Sequence, residues 1–139
     1  MLLRWSFVAL RCFHAFCHTS LVFSEAVLDH FRNPRNAGEL PDATVTAEVS
    51  NPVCGDILKL SARVENGYIV AARFLCRGCT TSIACASLLT EKIAGRSLAE
   101  VRSLTPQSLS KALGGLPPAT VHGAHLATDA LEVLLAKSP

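Results

Sequence analysis

Four cysteines, one aspartate and two histidines in the body of this sequence have the types and spacing to hold a metal. "PVCGD" sets Cys54 and Asp56 on either side of a glycine, where a thiolate and a carboxylate can point the same way. "FLCRGCTTSIAC" brings Cys76, Cys79 and Cys85 into one short stretch, and "VHGAH" supplies His122 and His125 at a spacing that lets both face one side of a helix. Thiolate is a soft ligand, imidazole a borderline one and carboxylate a hard one. A mixed set of this kind is unlike a closed all-thiolate zinc site and suits a labile or exchangeable metal.

The donors are not equivalent. Cys79 ends an apolar run and opens a helical one, and the unpaired N–H groups and dipole of a helix start favour a thiolate there, so Cys79 is expected to be the more reactive thiol of its stretch. Cys85 falls on an apolar helix face and Cys76 alternates with Phe74 along a strand, so both are expected to pack in the core. For Cys54 and Asp56 the plain alternative is a turn at Gly55 with a capping carboxylate; in company with Cys79 and His122 the metal reading is preferred.

The chain has 139 residues, six of them cysteines, and half its residues are apolar. That length supports one domain with a real core. The formal net charge is +2, which speaks against an electrostatic nucleic-acid binder. Residues 1–23 contain Arg4 and Arg11 and no acid; without them the body carries 11 basic and 11 acidic residues. This leader is interrupted by Arg11, His14 and His18 and lacks the continuous apolar run that crosses a bilayer. It reads as extra residues from an upstream-assigned start, with a bacterial cytoplasmic location; the alternative is a mitochondrial presequence and a matrix location. Four cysteines in the body are too few for a secreted disulfide framework, and a reducing compartment fits better.

Residues 24–139 form the domain that must position the donors. Ser24 caps a helix containing Ala26, Val27 and Phe31, which ends at "NPRNAG" because Pro34 disfavours a helical Asn33. "ATVTAEVS", "ILKLSARV" and "YIVAARFLC" alternate as three strands, and Asn66-Gly67 supplies the positive φ angles of a two-residue hairpin turn between the second and third. A helix follows from Thr80 to a stop at Gly95, with a threonine to cap it. "SLAE" is a capping box and Thr105-Pro106 opens a short helix that "GGLPP" terminates. The last helix runs from about His122 to Ala136 with Leu126, Ala130, Val133 and Leu134 inward. The class is α+β, with a small three-stranded antiparallel sheet packed against helices.

These motifs, "LDHFRNPRNAG", "CGD", "RFLCRGCTTSIACASLLTE", "GRSLAEV", "LPP" at Leu116 to Pro118 and "VH...LATDAL", resemble the iron–sulfur cluster assembly scaffolds of the NifU, IscU and SufU type over about Ser24 to Lys137. The resemblance implies a scaffold, not an enzyme turning over a free substrate: it binds iron, takes sulfur from a cysteine desulfurase, assembles a transient [2Fe–2S] cluster and passes it to acceptor proteins. By position it implies Cys54, Asp56, Cys79 and His122 as the metal or cluster ligands, Asp56 being the one that keeps the cluster transferable.

The third family cysteine falls at Gly123. His125, Cys76 or Cys85 could substitute, or the four matched residues could suffice, and His122 or His125 completing the set is preferred. A mixed Cys/His shell would raise a cluster's potential over all-thiolate ligation. "LPPAT" departs from the "LPPVK" of IscU-type scaffolds, which argues against their dedicated chaperone as a partner. The alternatives are a zinc-binding, SufU-like sulfur acceptor with Zn²⁺ on the same residues and a degenerate member that binds metal without assembling clusters. A thioredoxin-like redox role for "CRGC" has the wrong element order.

Overall fold

A computed structural model describes residues 23–139; residues 1–22 of the leader, with Cys12 and Cys17, lie outside the described residues. The elements run α1 (Glu25–Arg32), β1 (Val45–Ser50), β2 (Ile57–Glu65), β3 (Tyr68–Arg77), α2 (Thr80–Ile93), α3 (Leu98–Val101), α4 (Pro106–Ala112), a 3-10 turn (Pro118–Thr120) and α5 (His122–Lys137). The class and the order of elements are those the sequence implies.

The three strands form one antiparallel meander in the order β1-β2-β3. Asn66 and Gly67 carry φ of 52° and 80°, as the hairpin turn requires. The register aligns Ala47 with Leu60 and Leu60 with Phe74, and pairs Leu58 with Cys76, so a single apolar face is assembled across all three strands. Helices α2 and α5 pack on that face and on each other. Leu58, Leu60, Ile69, Leu89, Ile93 and Leu134 are fully buried between the layers. Among the described residues no helix is long and apolar enough to cross a membrane.

Three local expectations are refined. Helix α2 begins one residue after Cys79, so the cysteine, not a threonine, is its N-cap. Helix α5 extends one residue past Ala136, to Lys137. Val133 is half-buried at the edge of the core rather than within it.

The "DHFRNPRNAG" segment acts as a clamp on α2. His30 Nδ1 lies 2.8 Å from the buried Ser87 hydroxyl, which also accepts the Arg35 backbone N–H at 2.8 Å, and Asn36 Nδ2 donates to Thr90 Oγ1 at 3.2 Å. Asn36, at φ 59°, turns the chain so that its carbonyl accepts the Phe74 N–H at 3.0 Å while the Gly38 N–H reaches the Phe74 carbonyl at 2.8 Å. This covers part of the edge of β3 and ties α1, β3 and α2 into one block.

Burial holds the His30 imidazole below its ordinary pKa, helped by the Arg35 charge and opposed by Glu91 at 3.4 Å and by Asp29. A base that is harder to protonate folded than unfolded leaves stability intact above its unfolded pKa of about 6.5, and stability falls as the pH drops below that value. Chemical denaturation at pH 7.5 and 5.5 is expected to show a loss of stability on acidification that is smaller in His30→Gln; equal losses in the two proteins would assign the pH dependence to other groups.

Candidate metal centre

Each donor is placed by a local feature of the chain. The β1–β2 loop closes on itself: the Asn51 N–H donates to the Asp56 carbonyl at 2.8 Å, the Gly55 N–H to the Asn51 carbonyl at 2.7 Å, and the Val53 N–H to Asn51 Oδ1 at 2.9 Å. Gly55 sits at φ 76°, a conformation that strains any residue with a Cβ. The loop presents Cys54 to solvent and turns Asp56 inward to 6% exposure.

Gly78 admits the carboxylate: a Cβ there would lie 2.8 Å from Asp56 Cγ. Asp56 Oδ2 accepts the Ser82 hydroxyl at 2.6 Å and the Cys79 backbone N–H at 3.4 Å, so an anion sits at the start of α2 where the helix dipole favours one. The capping role that was the plain alternative for Asp56 is thus present, and it does not turn the carboxylate away from the other donors.

Asp56 Oδ2 is 3.9 Å from His122 Nε2, on the first residue of α5, and His122 Nε2 is 3.5 Å from Cys79 Sγ. Donor atoms of Cys54, Asp56 and His122 lie within 4.8 Å of one another. The β1–β2 loop and the start of α5 therefore bring one sulfur, a carboxylate oxygen and an imidazole nitrogen to one place; Cys79, at the start of α2, lies outside that mutual group and meets it through the imidazole at 3.5 Å. Cys54 is exposed and the His122 side chain is 31% exposed, so the donors line an open rim.

The remaining candidates are elsewhere. His125 is exposed and outside that group. Cys76 and Cys85 are buried in the core; loss of solvation pushes the Cys85 thiol up to about 12 and Cys76 higher still. Cys79 keeps its expected rank as the accessible thiol of its stretch, but not for the expected reason: burial raises its pKa, and the Ser82 hydroxyl and the N–H groups of Ser82 and Thr81 oppose that rise without cancelling it. A thiol so placed has no low pKa of its own to make it a thiolate; a cation bound there would do so by displacing the proton to solvent.

Sequence reasoning missed Ser82. It is buried at 1% exposure, bonded to Asp56, and 3.4 Å from Cys79 Sγ. Its signal was present: a serine three residues after a helix N-cap faces back toward the cap, the geometry that a capping box uses.

Comparison with known proteins places the arrangement in a lineage. The profile described as "NifU-like N terminal domain" matches residues 22–138. The chain belongs to the NifU-like N-terminal domain family. Within it, the "Iron-sulfur cluster assembly scaffold protein IscU 1" of Archaeoglobus fulgidus is 40% identical over 110 residues, 79% of this chain and 72% of that protein. The Drosophila melanogaster "Iron-sulfur cluster assembly enzyme IscU" is 44% identical over 119 residues, 83% of this chain and 77% of that one. Among solved structures, the putative SUF-system scaffold of Fervidobacterium islandicum AW-1 superposes with a TM-score of 0.71 at 23% identity, covering 83% of this chain and 97% of that one, a likeness of fold.

Gly123, where the resemblance implies a third cysteine, has a packing role of its own. It is buried in the first turn of α5 against the first turn of α2, and a Cβ on it would stand 2.9 Å from Ser82 N, Thr81 C and Thr81 Cγ2. A thiol at 123 therefore has no room while α2 and α5 keep this spacing. Glycine to alanine in an open helix interior gains up to about 1 kcal/mol, but overpacking costs about 1–3 kcal/mol. Gly123→Ala is expected to lower stability in chemical denaturation, with no gain from helix propensity; a more stable variant would show that the two helices can separate freely.

Exposure also ranks the thiols. Among the four described cysteines, alkylation by iodoacetamide at pH 7.5, mapped by peptide mass, is expected to modify Cys54 first and Cys79 more slowly, with Cys76 and Cys85 modified only after unfolding. Rapid labelling of Cys76 or Cys85 in the folded protein would contradict the burial of these two side chains.

Proposed function

We propose that this chain is an iron–sulfur cluster assembly scaffold whose cargo is held by Cys54, Asp56, Cys79 and His122. The observation that carries the reading is the convergence of the Cys54, Asp56 and His122 donor atoms within 4.8 Å, with Cys79 Sγ 3.5 Å from the same imidazole nitrogen. Names of relatives about 40% identical over most of the chain support the same role. The thiolates of Cys54 and Cys79 bind iron, and sulfur delivered as a persulfide by a cysteine desulfurase joins that iron as sulfide once an external reductant supplies two electrons; Asp56 supplies a hard ligand that soft iron–sulfur cargo holds weakly, so that the [2Fe–2S] product passes on to acceptor proteins. An iron donor completes the set of partners.

His122 takes the ligand role that the thiol absent at 123 would fill. It precedes Gly123 directly, reaches Cys79 and Asp56, and needs no displacement of α5. The protein acts by holding and handing on, with no free substrate turned over. The 3-10 turn Pro118–Thr120, with Pro118 and Ala119 exposed, lacks the lysine of the chaperone-docking loop in IscU-type scaffolds, and we infer that delivery proceeds without that chaperone.

One feature favours a second reading. Two thiolates, a carboxylate and an imidazole are four donors, the number a tetrahedral Zn²⁺ takes, and a zinc-held sulfur acceptor of the SufU type would use them all. Anaerobic reconstitution of the full chain with iron, sulfide and a cysteine desulfurase distinguishes the two. A [2Fe–2S] absorption and Mössbauer signature, lost in His122→Ala and kept in His125→Ala, is the expected result. Stoichiometric zinc with no cluster under these conditions would replace the scaffold reading by the sulfur-acceptor one.

A further inference from the structure

The Ser82 hydroxyl touches two of the four donors and is itself sealed from solvent. At 2.6 Å its bond to Asp56 Oδ2 has the short length of a hydroxyl donating to a charged oxygen. A serine hydroxyl has one proton to give, so with that proton on Asp56 the 3.4 Å contact with Cys79 is one in which the thiol donates to the serine oxygen. The one serine oxygen thus spans the two side chains, 2.6 Å from the carboxylate and 3.4 Å from the sulfur. The serine therefore stands between the two ligands whose spacing and orientation decide whether one ion can take both.

We propose that Ser82 is a positioning residue of the metal centre, holding the Asp56 carboxylate and the Cys79 sulfur in the mutual orientation that a bound ion requires. The inference rests on the metal-binding reading above and adds a residue to it.

The geometry favours this role over a purely structural one. The bond joins the β1–β2 loop to the first turn of α2, and the other links between these segments at this point are the 3.4 Å contact from the Cys79 N–H and the close approach of Gly78. The Cys79 N–H reaches the same oxygen from farther away, so the 2.6 Å Ser82 bond is the shorter of the two that hold the carboxylate's rotation. The oxygen it holds, Oδ2, is also the one facing His122 at 3.9 Å. Hydrogen bonds from a surrounding residue to a ligating carboxylate commonly contribute about 10- to 100-fold in metal affinity, because they prepay the ordering of the ligand.

Cobalt(II) and zinc(II) binding to the full chain tests the proposal. Cobalt gives thiolate charge-transfer absorption that reports ligation directly, and competition with a chromophoric chelator gives affinities for both ions. Ser82→Ala is expected to weaken both ions about tenfold and to shift the cobalt spectrum, while Ser82→Thr, which keeps the hydroxyl, retains the wild-type spectrum. In an Asp56→Ala background Ser82→Ala is expected to add no comparable loss, a non-additivity that a general packing defect would not produce. Ser82→Ala binding as tightly as wild type, or an equal loss with and without Asp56, would overturn the role assigned to Ser82 while leaving the metal centre intact. Wild type taking up neither ion would overturn the metal-binding reading, and this inference with it.

Discussion

The architecture of the site depends on burying one carboxylate. Asp56 is almost fully removed from solvent, and a buried charge is tolerated only where donors meet it. Its Oδ2 finds the Ser82 hydroxyl and the Cys79 N–H on one side and faces His122 on the other. Its own carbonyl closes the loop by accepting the Asn51 N–H. Satisfying this group therefore fixes the β1–β2 loop, the end of β3 and the start of α2 relative to one another. Gly78 is the condition for it, since any Cβ at that position would occupy the space of the carboxylate.

A second constraint is the contact of two helix starts. Thr81 and Ser82 on α2 meet Gly123 on α5 closely enough to exclude a methyl group, and this brings His122, one residue earlier, to the Cys79 sulfur. The clamp from His30, Arg35 and Asn36 to Ser87 and Thr90 steadies α2 from the other side. Packing at this density has little slack, so the exclusion of a side chain at 123 and the approach of His122 to Cys79 are two aspects of one helix spacing.

Burial divides the four cysteines of the domain into two classes. Cys76 and Cys85 sit among the core side chains of β3 and α2, where losing a proton would cost most of the solvation of a thiolate, and they behave as small apolar residues. Cys54 and Cys79 lie on a loop and a helix cap at the rim, where a metal can reach them. An exposed thiol and a partly exposed imidazole thus stand in front of a buried carboxylate, and the proposed cargo would meet solvent on the thiol side.

Much of this was legible along the chain. Alternating strands, the Asn66-Gly67 turn, the Ser97 and Thr105 caps and the spacing of Cys54, Asp56, Cys79 and His122 are local patterns, governed by backbone conformation and side-chain periodicity over a few residues. The family could be recognised from them, and so could the burial of Cys76 and Cys85, because strand alternation and helix faces decide it. What the tertiary structure alone decided lies between segments distant in sequence. The steric cost of a side chain at Gly123 depends on how close α2 approaches α5. The raised pKa of Cys79 reflects how much solvent its neighbours exclude, which outweighed the helix-start effect that the local sequence suggests. The part played by Ser82 exists only because the loop carrying Asp56 folds onto the helix carrying Ser82, 26 residues later. Spacing names the candidate donors; the distances and desolvation that make a site of them are properties of packing.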